Sequence, residues 1–223
     1  MKKYVNLFVF VFMIGACLSQ GRAQTKSAVS YKNPVVDIAM PDPTVIKAAD
    51  GYFYVYATES TRNVPIMKSK DLVEWTYCNT AFTNKTRPRF EPKAGIWAPD
   101  INYINGKYVL YYAMSVWGGE QTCGIGVATA NSPQGPFTDH GKMFRSNEIG
   151  VQNSIDPSLL QYEGRNYLVW GSFRGIYVIE LTADGLSIMS GAKKKRIAGT
   201  AFEAVYIHKH GDYYYMFASI GSC

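Results

Sequence analysis

Cysteine and histidine are scarce in this sequence, four and three residues in 223, and neither occurs in a metal-ligand spacing. Cys17 belongs to a leader, and Cys78, Cys123 and Cys223 leave an odd count, so neither a zinc-type site nor a disulfide framework is indicated. Long apolar runs are also missing. The longest, Val5 to Ala16, is too short for a comfortable membrane span, and no integral span is expected in the mature chain. Charged residues make up only 18%, against 47% hydrophobic, which excludes a disordered chain. The formal charge of +6 owes three cations to the leader (Lys2, Lys3, Arg22) and four to the run Lys193-Lys194-Lys195-Arg196. With no second basic cluster and no stacking platform, a nucleic-acid partner is not expected, and the run is read as a solvated turn.

Residues 1–23 have the order of an export leader: Lys2 and Lys3, the apolar stretch, then small and polar residues. Cleavage fits either after Ala23 or before Cys17, where Ile14-Gly15-Ala16-Cys17 has the form of a lipoprotein box. The mature chain, residues 24–223, is expected outside the cytoplasm: periplasmic, secreted or lipid-anchored at the cell surface.

What the chain has in quantity is aromatic residues, 14%, with 17 Tyr. Tyr suits a sheet that buries its ring and leaves its hydroxyl wet, which favours an all-β protein. The aromatics recur in a repeated plan. Asp50-Gly51-Tyr52-Phe53-Tyr54-Val55-Tyr56-Ala57, Asn105-Gly106 through Ala113, Glu163-Gly164 through Gly171 and His210-Gly211 through Ala218 each join a Gly turn to an aromatic and β-branched run. This is the second strand of a hairpin. The turn glycines are 55, 58 and 47 residues apart, about one four-stranded propeller blade with its connections. The hairpins' first strands are predicted at Thr44–Ile46, Ile101–Ile104, Ser158–Leu160 and Val205–Ile207. The expected fold is therefore an all-β propeller with three blades and part of a fourth.

Carboxylates head these first strands. Asp42 stands nine residues before its glycine, and Asp156 and Glu203 each stand eight before theirs. In the second repeat that register falls on Ala98, and Asp100 is displaced by two. Asp-Pro pairs are ordinary turn chemistry, but Glu203 has no proline after it. A propeller sets equivalent points of its blades around one axis, so three acids in register should converge, and converging carboxylates shift one another's pKa values apart. Asp100 is expected near the site without a catalytic role.

The stretches around these acids are Met40-Pro41-Asp42-Pro43-Thr44, Gly95-Ile96-Trp97-Ala98-Pro99-Asp100, Ser154-Ile155-Asp156-Pro157-Ser158 and Phe202-Glu203-Ala204-Val205-Tyr206. In combination they resemble glycoside hydrolase family 43, five-bladed propellers that hydrolyse arabinose- and xylose-containing polysaccharides. The resemblance implies Asp42 as general base, Glu203 as general acid, and Asp156 as the carboxylate that tunes and orients the acid. It extends to the arabinan-cleaving branch through Gly171-Ser172-Phe173-Arg174-Gly175-Ile176 and the ending Ser219-Ile220-Gly221-Ser222-Cys223, although Arg174 stands where the family often has a second aromatic. Trp97, Asp100, Asn153, Ser172 and Phe173 are the candidate substrate contacts.

The implied chemistry is hydrolysis of α-1,5-arabinofuranosidic bonds with inversion, for which acid and base must stand roughly 6.5–9.5 Å apart. A negative Asp156 beside Glu203 should raise the acid's pKa. No cofactor is needed for this chemistry, though a structural calcium is compatible with a complete propeller. His140, His208 and His210 do not match the family's channel histidine. Expected partners are plant cell-wall polysaccharides, arabinan or arabinoxylan, met by a monomer. The sequence stops inside the fourth repeat, and a fragment of this kind is expected to hydrolyse arabinan poorly. An exo-acting β-xylosidase or α-L-arabinofuranosidase shares all three acids, and a non-catalytic carbohydrate-binding propeller would keep the aromatics without needing the acids. Trp-Asp strand endings, the mark of a WD-type scaffold, are absent, as is the Asn-Asp-Pro-Asn pattern of related fructan-cleaving propellers.

Overall fold

A computed structural model describes residues 30–221. The leader lies outside the described residues, as do Cys17 and Cys223. Each four-stranded sheet is an antiparallel meander. Strands β1 (Thr44–Lys47), β2 (Phe53–Tyr56), β3 (Pro65–Ser69) and β4 (Thr76–Thr80) form the first. The second contains β5 (Gly95–Ile104), β6 (Lys107–Ser115), β7 (Gly124–Ala130) and β8 (Thr138–Arg145), followed by a single turn of helix, α1 (Ser146–Ile149). β9 (Ser158–Tyr162), β10 (Arg165–Trp170), β11 (Ile176–Glu180) and β12 (Lys195–Ala198) make the third, and β13 (Phe202–His210) pairs with β14 (Tyr213–Ile220). These are three propeller blades and the hairpin of a fourth.

Two of the four turns have the expected two-residue geometry. Asn105-Gly106 and Glu163-Gly164 both place two successive residues at positive φ, the two-residue hairpin geometry that matches strand twist.

The blades pack face to face through alternate side chains of their central strands. Tyr54, Tyr56, Ile66 and Phe82 of the first blade meet Ile96, Leu110, Tyr112 and Met114 of the second. Tyr111, Ile125 and Phe144 of the second meet Leu168, Trp170 and Ile179 of the third. The hairpin joins by a smaller cluster of Val169, Ile176 and Val205. Buried tyrosine hydroxyls are not left wet: Tyr111 donates to the Gly185 carbonyl at 2.8 Å, Tyr112 to Asp139 at 2.5 Å, and Tyr56 to the Pro133 carbonyl. Each ring thus fills an inter-blade layer while its hydroxyl satisfies a group in the second or third blade.

The basic run is not a simple turn. Lys195 and Arg196 lie in β12, the outermost strand of blade 3, and both are exposed. Charges along such an edge hinder pairing with another chain. On blade 1 an apolar groove of about 720 Å³ lies open, lined among others by Pro34, Val36, Ile38, Val45, Leu72 and Trp75.

Candidate active site

The innermost strand of every blade opens with the same irregularity. Asp42, Ala98, Asp156 and Ala204 all adopt left-handed backbone angles, φ 49°, 39°, 56° and 50°. Two residues later in each case, regular pairing begins at Thr44 and Ser158 and resumes at Asp100 and Tyr206. In blade 2 and the hairpin the irregularity is visible as a bulge, between Trp97 and Asp100 and between Glu203 and Tyr206. Left-handed backbone costs a non-glycine residue on the order of 1 kcal/mol, and such strain collects at functional sites.

This geometry corrects the register read from spacing. Only Asp42 and Asp156 occupy the equivalent point; in the fourth repeat that point is Ala204. Glu203 stands one residue earlier, at the position of Trp97, because Gly211 is the first residue of its two-residue turn whereas Gly106 and Gly164 are the second; the strands between bulge and turn, Asp100–Ile104 and Tyr206–His210, are equally long. Asp tolerates the left-handed region better than Glu does, so a glutamate is better placed on the extended residue before it.

The three acids still come together. The Asp156 carboxyl is pushed up to about 7, first by burial and then by the charges of Asp42 and Glu203, against an opposing bond from the Ala204 N–H. Both neighbouring acids therefore lie within electrostatic reach of it. Ala204 N donates to Asp156 Oδ2 at 3.2 Å, Ser172 Oγ donates to Glu203 Oε2 at 3.2 Å, and Thr58 Oγ1 donates to exposed Asp42 at 2.5 Å. Asp156 had been expected to stay ionised and hold a proton on Glu203. Instead burial favours a proton on Asp156 itself up to near-neutral pH.

Asp100 is not a substrate contact. It is buried, and its carboxylate accepts from Leu159 N at 2.8 Å, Asn102 Nδ2 at 2.7 Å and Thr44 Oγ1 at 3.5 Å. It ties the innermost strands β1, β5 and β9 together, and burial pushes its carboxyl up to about 6. Ser172 is buried too and serves Glu203, while its carbonyl accepts from Asn153 Nδ2 at 3.0 Å. Asn153 and Ser172 thus shape the site's frame instead of lining a cleft.

Trp97 is half-buried against Ala113, Cys123 and Ile155. Its outer edge meets Trp117, with ring centroids 5.7 Å apart and planes tilted by 54°. Trp117 is 85% exposed on the β6–β7 loop. An aromatic left that open beside converging acids can stack on a sugar face, and sequence reading missed it because it lies outside the repeats. Thr58 was missed as well. Its available signal was position, at the end of β2 level with Asp42. Phe173 is half-buried with φ 50°, its amide bound to the Phe202 carbonyl at 2.9 Å. Arg174, in place of an aromatic, donates to Glu120 through Nε and Nη2, both at 3.0 Å.

Among the described residues no group of three His, Cys, Asp or Glu side chains is arranged to hold a metal ion. His140 is engaged with Thr129 on the outer strand β8, and His208 and His210 are exposed on β13.

The fold is thus a β-propeller whose innermost strands bring Asp42 and Glu203 within electrostatic reach of Asp156. The chain belongs to the glycosyl hydrolases family 43, whose model matches residues 31–223. It is 32% identical over 191 residues to arabinan endo-1,5-alpha-L-arabinosidase A of Aspergillus niger, covering 82% of this chain and 58% of that protein. It is 35% identical over 195 residues to the extracellular endo-alpha-(1->5)-L-arabinanase 1 of Bacillus subtilis, covering 82% and 59%. Among solved structures, the Cellvibrio cellulosa alpha-L-arabinanase complexed with arabinohexaose superposes with a TM-score of 0.73 at 28% identity, covering 83% of this chain and 66% of that one. The chain thus spans a little under three fifths of the curated relatives it matches.

Proposed function

We propose that this chain carries the acid–base centre of an exported, inverting hydrolase of α-1,5-linked arabinan. The observation that carries the reading is the trio Asp42, Asp156 and Glu203, gathered at the mouths of innermost strands so that the outer two both act on the third. The names of the relatives and the arabinohexaose complex support the substrate. The export leader of the sequence and the extracellular naming of the Bacillus relative support export. No helix among the described residues is long and apolar enough to cross a membrane.

In this reading Glu203 gives its proton to the glycosidic oxygen as the bond to the anomeric carbon breaks. Asp42 takes a proton from water as the water oxygen attacks that carbon from the opposite face. Asp42 ends protonated and Glu203 ionised, and exchange with solvent restores both. The step needs no cofactor. Asp156, pinned by the Ala204 N–H, positions the neighbouring residue, Glu203. Trp117 and Trp97 offer stacking surface for the furanose rings.

The test compares the chain with Asp42→Asn and Glu203→Gln on linear arabinan, following product sizes and anomer by NMR. Each substitution should lower kcat by about 10²- to 10⁴-fold. The initial product should have inverted configuration, and early oligomers should mark endo action. Retained activity in either variant would overturn the assignment of that residue.

A further inference from the structure

We propose that Thr58 is the positioning residue of the Asp42 carboxylate, a hydroxyl that receives the Ala98 N–H of the next blade and commits its own proton to Asp42. The inference rests on the reading of Asp42 as general base and adds to it a residue that neither the motifs nor the repeats single out.

Thr58 follows β2 and sits between two blades. Its Oγ1 accepts from Ala98 N at 2.7 Å and donates to Asp42 Oδ2 at 2.5 Å. A hydroxyl carries one proton, and the Ala98 N–H is aimed at its oxygen, so that proton is directed to the carboxylate. Donation from a neutral hydroxyl to an ionised acceptor is the short, strong form of hydrogen bond, and it favours the ionised acceptor over the protonated one. Among the described residues only Oδ2 of Asp42 receives a side-chain bond, which leaves Oδ1 to engage water from the exposed side.

The hydroxyl's own position is fixed on both flanks. Thr58 N donates to the Pro41 carbonyl at 2.9 Å, clamping the residue before Asp42. On the other side Glu59 N donates to the Ile96 carbonyl at 3.1 Å, and Ile96 N returns a bond to Glu59 Oε1 at 2.9 Å. The Glu59 carboxylate is in turn held by the guanidinium of buried Arg87. The entry to β5 is thereby sewn to the end of β2, and the left-handed turn at Ala98 aims its N–H at Thr58.

The same bulge position appears in the fourth repeat with a different outcome. There the Ala204 N–H reaches the preceding blade's acid, Asp156, directly. At Asp42 a threonine hydroxyl is interposed. A backbone donor serves the partly buried acid, whose carboxyl is pushed up, and a side-chain relay serves the exposed one that must stay a base.

The experiment uses Thr58→Val, which keeps the shape and removes the hydroxyl, and Thr58→Ser, which keeps the hydroxyl. On linear arabinan Thr58→Val should lose about 10- to 100-fold in kcat with little change in KM, the size of a lost hydrogen bond to a charged group. Thr58→Ser should restore kcat. A second arm is independent of turnover. The Ala98 amide resonance, followed by ¹H–¹⁵N NMR against pH, should report a titration in the parent chain that disappears in Asp42→Asn and in Thr58→Val and returns in Thr58→Ser. An Ala98 titration unchanged in Thr58→Val would overturn the proposal, as would a parent-like kcat in that variant beside an inactive Asp42→Asn. If Asp42→Asn stays fully active, the base reading fails while the NMR arm still decides the relay; if hydrolysis is too slow to follow, the NMR arm decides alone.

Discussion

Blade 2 and the β13–β14 hairpin share the same strand pair and the same bulge, yet one is sealed and the other open. Tyr111 of β6 and Phe217 of β14 occupy equivalent places, opposite Asp100 and Tyr206. Tyr111 is completely buried, whereas Phe217 is 59% exposed. Composition does not explain the difference, since β14 is as aromatic as β6. A propeller strand is buried by the sheets on either side of it, and β6 has both while the hairpin meets only blade 3 among the described residues. Glu203 therefore sits in a frame held from one flank, through Val205, Phe202 and Ile207, and Asp42 and Asp156 lie in frames held by whole blades.

The widest effect expected from this contrast is on stability. Tyr111→Ala should cost about 3–5 kcal/mol, because it empties a sealed layer and leaves the Gly185 carbonyl without its donor. Phe217→Ala should cost less than about 1 kcal/mol. Urea denaturation of the two variants checks the pair, and equal losses would mean that β14 is covered in solution.

A smaller effect follows from where blade 3 meets the hairpin. Asp156 and Asp100 have carboxyls raised to about 7 and about 6, so the folded chain holds more protons than the unfolded chain between about pH 4 and those values. Stability from these groups is thus fully present below about pH 4 and is lost as pH rises through 6 to 7. Asp156→Asn should flatten that decline by on the order of a few kcal/mol, read as thermal midpoints at pH 5 and pH 8. A parent-like decline in this variant would mean that burial does not hold the Asp156 proton.

The smallest effect is expected at one of two ties between blades, and the other serves as its contrast. Arg174 and Glu120 join blade 3 to the β6–β7 loop at the surface, and Arg174→Ala should change stability by less than about 1 kcal/mol. Arg87 and Glu59 make the corresponding buried tie between blades 1 and 2, and Arg87→Met should cost about 3–5 kcal/mol because it strands the Glu59 charge. Denaturation midpoints of the two variants order the ties.

Much of the architecture was legible because it repeats. Four Gly turns, each followed by an aromatic strand, predicted the propeller, and the strand starts at Thr44 and Ser158 were placed to the residue. Asp42 and Asp156 share one register, whereas counting back from the turn glycine misplaces Glu203 by one residue. The glycine that marks the turn is its second residue at Gly106 and Gly164 but its first at Gly211, and only the strand pairing shows which. Asp100 looked like a site residue because it follows Trp97-Ala98-Pro99; only packing shows that its carboxylate is spent on Leu159, Asn102 and Thr44. The basic run Lys193–Arg196 was read from charge alone, and its strand pairing with β11 is a tertiary fact.

The sequence by itself determined the blade, since turn glycines, alternating aromatics and a carboxylate near each strand start are local features. Tertiary structure decided which groups meet. The left-handed entries at Ala98 and Ala204 turn a backbone N–H toward the neighbouring blade, so Ala204 reaches Asp156 and Ala98 reaches Thr58, which in turn reaches Asp42. Those partners are separated by 48, 40 and 16 residues, and no local pattern encodes them. The proton on Asp156 is decided in the same way, because burial and two neighbouring charges act on it only after the blades have closed around it.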